Sequence, residues 1–397
     1  MTKQRTYSNQ FWLLCTSALL FFTSFNMIIP ELSEFLTKLG GAEYKGLIIS
    51  LFTLTAMCSR PFSGKLADRL GRKPVIIFGG VVCLICSLFY PWLTTLFGFF
   101  VLRILHGFST GFSPTGVSAY VSDVIPANKR GEAMGLIGTA GAIGMAAGPA
   151  IGGAVANQFG LNVMFYLSSL FAFISIAITL GLKETLKERH EVSWALLKIH
   201  KKDLFEPLVI APCVVMVLAA YAYGAAYTLL PDFGKQLGIH NTGLLFTFLA
   251  FASLLVRLIA GKASDIYGRI PVLKVTVVLI IVSMLIIGVA DQSWILIVGV
   301  SLYGLAQGST SPTLLAWATD LSHEDHRARG IASLYISMEL GIMLGAFVSG
   351  VVYGNSPSNF LICFSICSLL ALIAFLFLLF NKKREVIIPA RDEIELN

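Results

Sequence analysis

Residues 60–74 read RPFSGKLADRLGRKP, and residues 257–271 read RLIAGKASDIYGRIP. Arg, Gly, Lys, Asp, Gly, Arg and Pro recur in the second stretch at a fixed offset of 197 positions, and both stretches separate two long apolar runs. A repeat that covers half of an apolar chain is typical of membrane proteins built from two related halves. The two stretches therefore predict two similar bundles of helices, each with a charged turn at the same place.

The composition excludes a water-soluble globular protein. The 397 residues are 56% hydrophobic and only 13% charged, with a mean hydropathy of +0.79, whereas a soluble domain carries about 25% charged residues. A helix that crosses a bilayer needs about 20 mostly apolar residues. The sequence contains twelve such runs, at 11–30, 47–63, 75–93, 96–119, 135–156, 161–182, 208–230, 242–260, 272–290, 293–318, 330–352 and 359–380. It therefore predicts an all-α integral membrane protein with twelve transmembrane helices in two six-helix halves.

The placement of Lys and Arg predicts the orientation. Loops on one side of the spans hold most of the basic residues, among them those of 65–73 and 183–202, while the other side holds only Lys38, Lys45 and Lys235. By the positive-inside rule, both termini and the central linker face the cytoplasm. The net charge of +7 is thus explained by topology, and we expect no nucleic-acid partner. The predicted divisions are a first half at 1–182, a cytoplasmic linker at 183–207, a second half at 208–380 and a cytoplasmic tail at 381–397.

Three motifs resemble those of a known family. The turn Gly64–Pro74 resembles the signature loop of the major facilitator superfamily. Span four carries Arg103, His106 and Gly107 in the spacing of a second family motif, although His106 stands where relatives commonly have Gln. A glycine motif in span five resembles the antiporter motif of the twelve-span drug:proton antiporter family, and it consists of Gly141, Gly144, Gly148, Pro149, Gly152 and Gly153. The resemblance implies the major facilitator fold and proton-coupled export.

The charged turns are interpreted as a latch between the halves. Asp68 and Arg72 are four residues apart, so on a helical turn they face the same way, and Asp123 is a third candidate for the same cluster. The resemblance implies that Asp68 also caps the start of span eleven near Gly330, where helix amides favour an anion. The alternative is that these charges only set the topology. The latch candidates are Gly64, Asp68, Gly71, Arg72, Lys73, Asp123, Arg130, Gly261, Asp265 and Arg269.

The span-five glycines fall at spacings of three and four residues, which predicts a single smooth stripe on one helix face. Small residues let helices approach closely in lipid. We interpret the stripe as a contact between the halves along which they rock. The alternative is static packing between helices.

Ionisable residues inside spans are costly and mostly functional. Arg103 and Glu339 break the repeat, because Val300 and Ala140 stand at the equivalent positions. Arg103, His106, Thr110 and Ser113 share one helical face, which we expect to line a water-filled cavity, while bracing and core packing are the alternatives. We expect Glu339 to carry the proton, with Arg103 as its counter-charge or as the substrate-orienting residue. The substrate and proton candidates are Asn26, Arg103, His106, Tyr223, Tyr227, Tyr303, Gln307 and Glu339.

The sequence holds no phosphate-binding loop of the ATPase type, no nucleophile elbow and no His/carboxylate metal cluster. It therefore predicts no enzyme activity, no cofactor and no metal site. We interpret the chain as a monomeric secondary active transporter of the bacterial inner membrane that exports a drug-like or sugar-like molecule in exchange for protons. A proton-coupled uptake symporter for a sugar or organic acid is one alternative. A receptor or scaffold that transports nothing is another.

Overall fold

The described part of the chain is helical throughout. The structure is a computed structural model that describes residues 7–126, 129–186, 205–322 and 327–380, and these contain thirteen α-helices and no β-strand. The helices are α1 Asn9–Ile28, α2 Leu32–Lys38, α3 Lys45–Leu70, α4 Arg72–Phe89, α5 Leu96–Val124, α6 Arg130–Phe159, α7 Leu161–Leu180, α8 Ile210–Gln236, α9 Gly243–Tyr267, α10 Arg269–Gly288, α11 Ser293–Leu321, α12 Arg327–Tyr353 and α13 Phe360–Phe380. The predicted spans one to twelve thus correspond to α1 and to α3 through α13.

All of these helices except the 7-residue α2 are at least 18 residues long. Ten helical stretches in the described residues are long and apolar enough to cross a membrane. An eleventh is α9, whose segments Gly243–Arg257 and Ile259–Tyr267 meet at a bend of 46°. Helix α11 has 29 residues, but Gln307 and several hydroxyl side chains keep it below the apolarity of the others. The twelve predicted spans therefore appear as twelve long helices, of which ten or eleven are membrane-spanning by composition.

The sequence repeat corresponds to a repeat in helix packing. In the first half α1 packs on α6 and α7, α5 packs on α3 and α4, and α4 also packs on α7. In the second half α8 packs on α12 and α13, α11 packs on α9 and α10, and α10 also packs on α13. Each pairing of the first half thus has its counterpart in the second. The halves meet mainly through α3 against α12 and α6 against α9.

One end of the bundle is closed by polar contacts between the halves. We call this the far end, and the opposite end, which holds the turns 64–74 and 261–271, the motif end. At the far end the Lys45 ammonium donates to the Asp232 carboxylate and to Asn355 Oδ1, the latter at 2.8 Å. The Ser33 hydroxyl donates to Asp232 Oδ1 at 2.7 Å. Helices α3 and α12 also pack so closely here that a side chain at Gly46 would strike the backbone of α12.

The described residues of α3 and α12 leave the motif end open between these two helices. Gly64 lies one turn beyond Arg60, which contacts α12, so Gly64 faces the other half as well. A Cβ at Gly64 would nevertheless have no neighbour within 4 Å, and the same holds at Gly138 on α6 and Gly261 on α9. The Asp68 side chain is 70% exposed. In the part of the chain that the structure describes, the molecule is therefore closed at the far end and open at the motif end.

We expect Asp232→Asn to loosen the far end. The Lys45–Asp232 pair is largely buried, with side-chain exposures of 8% and 14%, and removing one partner of a buried pair costs about 3–5 kcal/mol. The measurement is the rate at which a water-soluble maleimide labels Thr247→Cys in a Cys58→Ser background, because the Thr247 hydroxyl bonds Ala146 O across the halves at 2.7 Å. The rate should rise about tenfold or more.

The matched control for this experiment is Glu34→Gln. It removes a neighbouring ion pair to Lys235 whose side chains are 35% and 41% exposed, and exposed pairs contribute little. Labelling of the Thr247→Cys protein should change little in this variant. Equal rates for Asp232→Asn and its parent would contradict the assignment of Lys45–Asp232 as the main polar closure.

Candidate functional site

The predicted charge cluster of the first half is present. The Arg72 guanidinium donates through Nη1 to Asp68 Oδ1 at 2.9 Å and through Nε to Asp123 Oδ2 at 2.9 Å. It also donates to the carbonyl of Ala67 at the end of α3. Arg72 therefore ties together the ends of α3, α4 and α5, as the sequence predicted.

The second half repeats this cluster. Arg269 donates through Nε to Asp320 Oδ2 at 2.9 Å and through Nη1 to Asp265 Oδ1 at 2.5 Å. Arg269 Nη1 also donates to the Ser264 hydroxyl at 2.6 Å. In the first half the corresponding acceptor is the backbone carbonyl of Ala67. Both turns are therefore held by one arginine and two aspartates.

Glu184 supports the first turn and was missed by sequence reasoning. Its carboxylate accepts the backbone N–H groups of Arg72 at 3.0 Å and Lys73 at 3.1 Å, at the exposed amides that begin α4. Gly71 adopts φ +125°, and a side chain there would strike the same carboxylate. The Lys73 ammonium donates to the carbonyl of Leu180 at 2.6 Å, at the end of α7. The available signal was an acid directly after span six, at the second position of the linker.

The predicted contact between Asp68 and the start of α12 is not among the bonds between described residues. Among the described residues, Asp68 bonds Arg72 only. Gly330, where the resemblance placed the capping contact, packs against Ser322 and Val209 instead. The side chain of Arg130 lies outside the described part of the structure. The latch stays a prediction for the form in which the motif end is closed.

The expectation that Arg103 and His106 line a cavity is wrong. Both side chains are fully buried within the first half. Arg103 Nε donates to Ile48 O at 2.7 Å and Nη1 donates to the Tyr90 hydroxyl at 3.2 Å. His106 Nδ1 lies 3.3 Å from the same hydroxyl. The residues share one face as predicted, but that face is covered by α3 and by Tyr90, directly after α4. Arg103 therefore ties α5 to α3 and to the segment that follows α4.

Thr110 and Ser113, on the same face, are buried as well, with 9% and 4% exposure. Asn26 on α1 is buried too, and its amide donates to Phe22 O at 2.8 Å. These three side chains therefore contribute to the interior of the first half, and none of them has the open surroundings expected of a cavity wall.

The glycine stripe of span five does not lie between the halves. A side chain at Gly144 or Gly148 would strike the backbone of α1, which belongs to the same half, and Gly152 packs on α1 at Met27. Gly141 faces Phe22, also on α1. Static packing, the alternative, therefore describes this stripe. The spacing of the glycines shows that they share one helix face. It does not show which neighbouring helix covers that face.

Another face of α6 does contact the second half. The carbonyl of Pro149 packs against Gly243, and Gly153 packs against the Asn241 side chain. The Asn241 amide donates to Ala150 O at 3.1 Å. Pro149 and Gly153 are thus the members of the motif that meet the other half, at the far end.

We expect Gly148→Leu to destabilise the first half rather than shift the conformational balance. The added side chain would meet Thr23 O at 2.6 Å from its Cβ, and overpacking costs roughly 1–3 kcal/mol. The measurement is the thermal unfolding temperature in detergent, with Gly138→Leu as control, because nothing lies within 4 Å of that position. An unchanged melting temperature for Gly148→Leu would contradict the close contact with α1.

The partner of Glu339 is Arg60, so Arg103, which the sequence offered as its counter-charge or as a substrate-orienting residue, is not its counter-charge. Arg60 Nη2 on α3 donates to Glu339 Oε1 on α12 at 2.6 Å, and the side chains are 19% and 8% exposed. The Arg60 guanidinium also lies over the Tyr335 ring, 5.2 Å from its centroid. Among ion pairs between described residues, this one crosses the halves nearest the motif end. The signal was available, since Arg60 opens the repeated stretch and recurs as Arg257.

The second half brings the predicted tyrosines together. The rings of Tyr223 and Tyr227 stack with centroids 4.3 Å apart, and Tyr303 lies within electrostatic range of both. Arg257 on α9 is exposed and lies within electrostatic range of Tyr223 and Tyr335. Gln307 is half-buried and makes no hydrogen bond to a described residue. Arg60, Arg257 and Glu339 thus lie together with this group of tyrosines near the middle of the bundle.

Comparisons with known proteins agree with this architecture. The model of the family described as Major Facilitator Superfamily matches residues 14–240 and 212–395. The chain is 26% identical over 347 residues to the "Multi-drug resistance efflux pump PmrA" of Streptococcus pneumoniae, covering 84% of this chain and 86% of that protein. It is 27% identical over 404 residues to the "Multidrug resistance protein MdtG" of Dickeya zeae, covering 96% of each chain.

A solved structure has the same fold. The crystal structure of a D-xylose-proton symporter superposes with a TM-score of 0.78 at 14% identity, covering 93% of this chain and 96% of that one. At this identity the likeness concerns the fold alone. Together with the family match over both halves, it shows that the chain belongs to the Major Facilitator Superfamily as a multi-pass membrane transporter.

Proposed function

We propose that this transporter exports a small organic molecule in exchange for protons, by alternating access. The observation that carries the proposal is the Arg60–Glu339 pair across the halves. It joins an intramembrane acid, which can accept a proton, to the contact that must change when the halves move. The motif end is proposed to face the cytoplasm of a bacterial cell, so that this structure corresponds to the inward-open form of a monomer.

The Arg60–Glu339 pair favours exchange of substrate for protons because it stabilises the empty, deprotonated transporter in one conformation. With Glu339 ionised and no substrate bound, Arg60 and Glu339 hold α3 against α12. Breaking such a pair without compensation is costly, so the empty, deprotonated carrier resists switching. A proton on Glu339 removes the charge and releases Arg60. A substrate that takes the place of Arg60 or Glu339 in the pair also breaks it. Each change between the two forms of the transporter then carries either a proton or a substrate across the membrane.

The relatives support the direction of transport. The two bacterial proteins reported above are named as multidrug efflux pumps or multidrug resistance proteins and match most of this chain. We therefore propose drug-like substrates and efflux. The alternative of proton-coupled uptake is disfavoured by the same ion pair, because an uptake symporter must return empty and deprotonated.

The test is a transport assay in liposomes that contain the purified protein and a trapped pH-sensitive dye. In the absence of an imposed gradient, a substrate moving inward should drive protons outward, so the interior becomes more alkaline. The control is the same vesicle without protein. Acidification of the interior as substrate enters would indicate symport, and no substrate-dependent movement of protons across a broad panel would contradict proton coupling.

A further inference from the structure

The charged groups in the middle of the bundle do not balance. Arg60 and Arg257 contribute two positive charges, and Glu339 is the one carboxylate among the described residues that contacts either of them. Glu339 is already occupied by Arg60 at 2.6 Å. Among the described residues, Arg257 makes neither a hydrogen bond nor an ion pair. With Glu339 ionised, the site therefore keeps one uncompensated positive charge.

Arg257 is placed to receive a ligand. Its side chain is exposed. Arg257 is the last residue of the first segment of α9, directly before the bend that leads to the second segment at Ile259. Tyr335 lies within reach of both arginines: the Arg60 guanidinium covers its ring at 5.2 Å, and Arg257 is within electrostatic range of its hydroxyl. Arg60 from α3 of the first half and Arg257 from α9 of the second half thus both interact electrostatically with one tyrosine.

Arg60 also retains a free donor. It uses Nη2 for Glu339, but its Nε is buried and has no acceptor among the described residues. A guanidinium presents several N–H groups in one plane and binds a carboxylate through two of them at once. A buried donor without an acceptor is costly. An anionic oxygen in this position would satisfy it.

From this geometry we propose that the transporter's substrate carries a carboxylate that binds Arg257 and Arg60, with an aromatic body against Tyr223 and Tyr335. The inference rests on the proposed function for its place in the transport cycle. A carboxylate that engages Arg60 competes with Glu339 and breaks the ion pair from the arginine side, as a proton breaks it from the glutamate side. A cationic substrate would instead add a second uncompensated charge.

The test uses aromatic probes that differ only in charge. Naphthalene-2-carboxylate, naphthalene-2-carboxamide and 2-(aminomethyl)naphthalene carry a negative, zero and positive charge, and the same three groups are placed on biphenyl and indole. Binding to the purified protein in detergent is measured by thermal stabilisation over a range of probe concentrations. We expect each carboxylate probe to bind at least about tenfold more tightly than the amide and the amine on the same ring system. A charge-assisted hydrogen bond contributes enough binding free energy for a difference of this size.

Three variants test the role of Arg257. Arg257→Gln should weaken carboxylate binding about tenfold or more and leave binding of the amide unchanged, while Arg257→Lys should restore part of the carboxylate affinity. Lys262→Gln is the matched control, because it removes one positive charge from the exposed end of the same helix. Each variant's melting temperature without probe shows whether it is folded. If Arg257→Gln is unfolded, the role of Arg257 is judged from Arg257→Lys and from the probe series in the unaltered protein.

The outcomes separate this inference from the proposed function. Tighter binding of the amines, no binding of any carboxylate, or carboxylate binding unchanged by Arg257→Gln would overturn it. If amines exchange with protons in liposomes, the proposed function stands and the inference fails. If carboxylates bind through Arg257 but move no protons, the inference stands and proton exchange fails.

Discussion

Glu339→Gln is expected to abolish transport driven by a pH gradient while leaving substrate binding intact. Glutamine keeps the shape of the side chain but neither ionises nor forms an ion pair with Arg60. Removing one partner of a buried pair costs about 3–5 kcal/mol, so the preference for the form in which the pair is made should fall by about a hundredfold or more. The measurement is substrate accumulation in liposomes under an imposed pH gradient, compared with substrate exchange without a gradient, which should persist.

The matched control is Glu206→Gln. Glu206 is equally buried and lies 3.5 Å from Arg329, but both residues belong to the second half. Its loss should affect stability without uncoupling protons from substrate. If Glu339→Gln still concentrates substrate against a gradient, the proton carrier lies elsewhere. His106 would be the next candidate, although its burial beside Tyr90 places it away from the contact between the halves.

Asp68→Asn is expected to stop transport without lowering the stability of the form described here. In this form the Asp68 carboxylate is 70% exposed and bonds Arg72, which keeps a second partner in Asp123. The proposed role of Asp68, capping the start of α12, applies when the motif end closes. Transport in liposomes should fall to background, while the melting temperature and the amount of inserted protein stay at the values of the unaltered protein.

Asp265→Asn is the internal control for Asp68. It breaks the equivalent bond to Arg269, but Ile270 stands where the first turn has Lys73. The second turn therefore lacks the ammonium that holds the end of α7 in the first half, and we expect a smaller loss of transport. Transport by Asp68→Asn at the rate of the unaltered protein, at equal expression, would rule out the latch.

The fold and the local charge clusters could be predicted because they depend on short-range patterns. Apolar runs of helical length predicted the long helices, and the fixed offset predicted that the packing of one half recurs in the other. The contact between Asp68 and Arg72 follows from a spacing of four residues in adjoining helical turns. Asp123 was predictable as a third member because it lies at the end of span four on the same side as this turn, and it does bond Arg72.

The neighbours of each helix face could not be predicted in the same way. A period of 3.6 residues shows that Arg103 and His106 share a face, but not how α5 is rotated in the bundle. For that reason the sequence predicts a cavity wall where the structure has a buried brace. The stripe containing Gly144 and Gly148 was assigned to the wrong partner for the same reason. Arg60 opens the repeated charged stretch, but it lies almost three helical turns before the end of α3, opposite Glu339.

The two ends of the linker belong to different halves. Glu184 holds the start of α4, and on the other side Glu206 contacts Arg329 and bonds Ser333 through its backbone. A gene divided between residues 187 and 204 would therefore yield two polypeptides, each of which keeps its own anchoring glutamate. Co-expressed in one cell, such fragments could be mixed with those of altered copies, so that a substitution in one half is combined with any partner half without remaking the full gene.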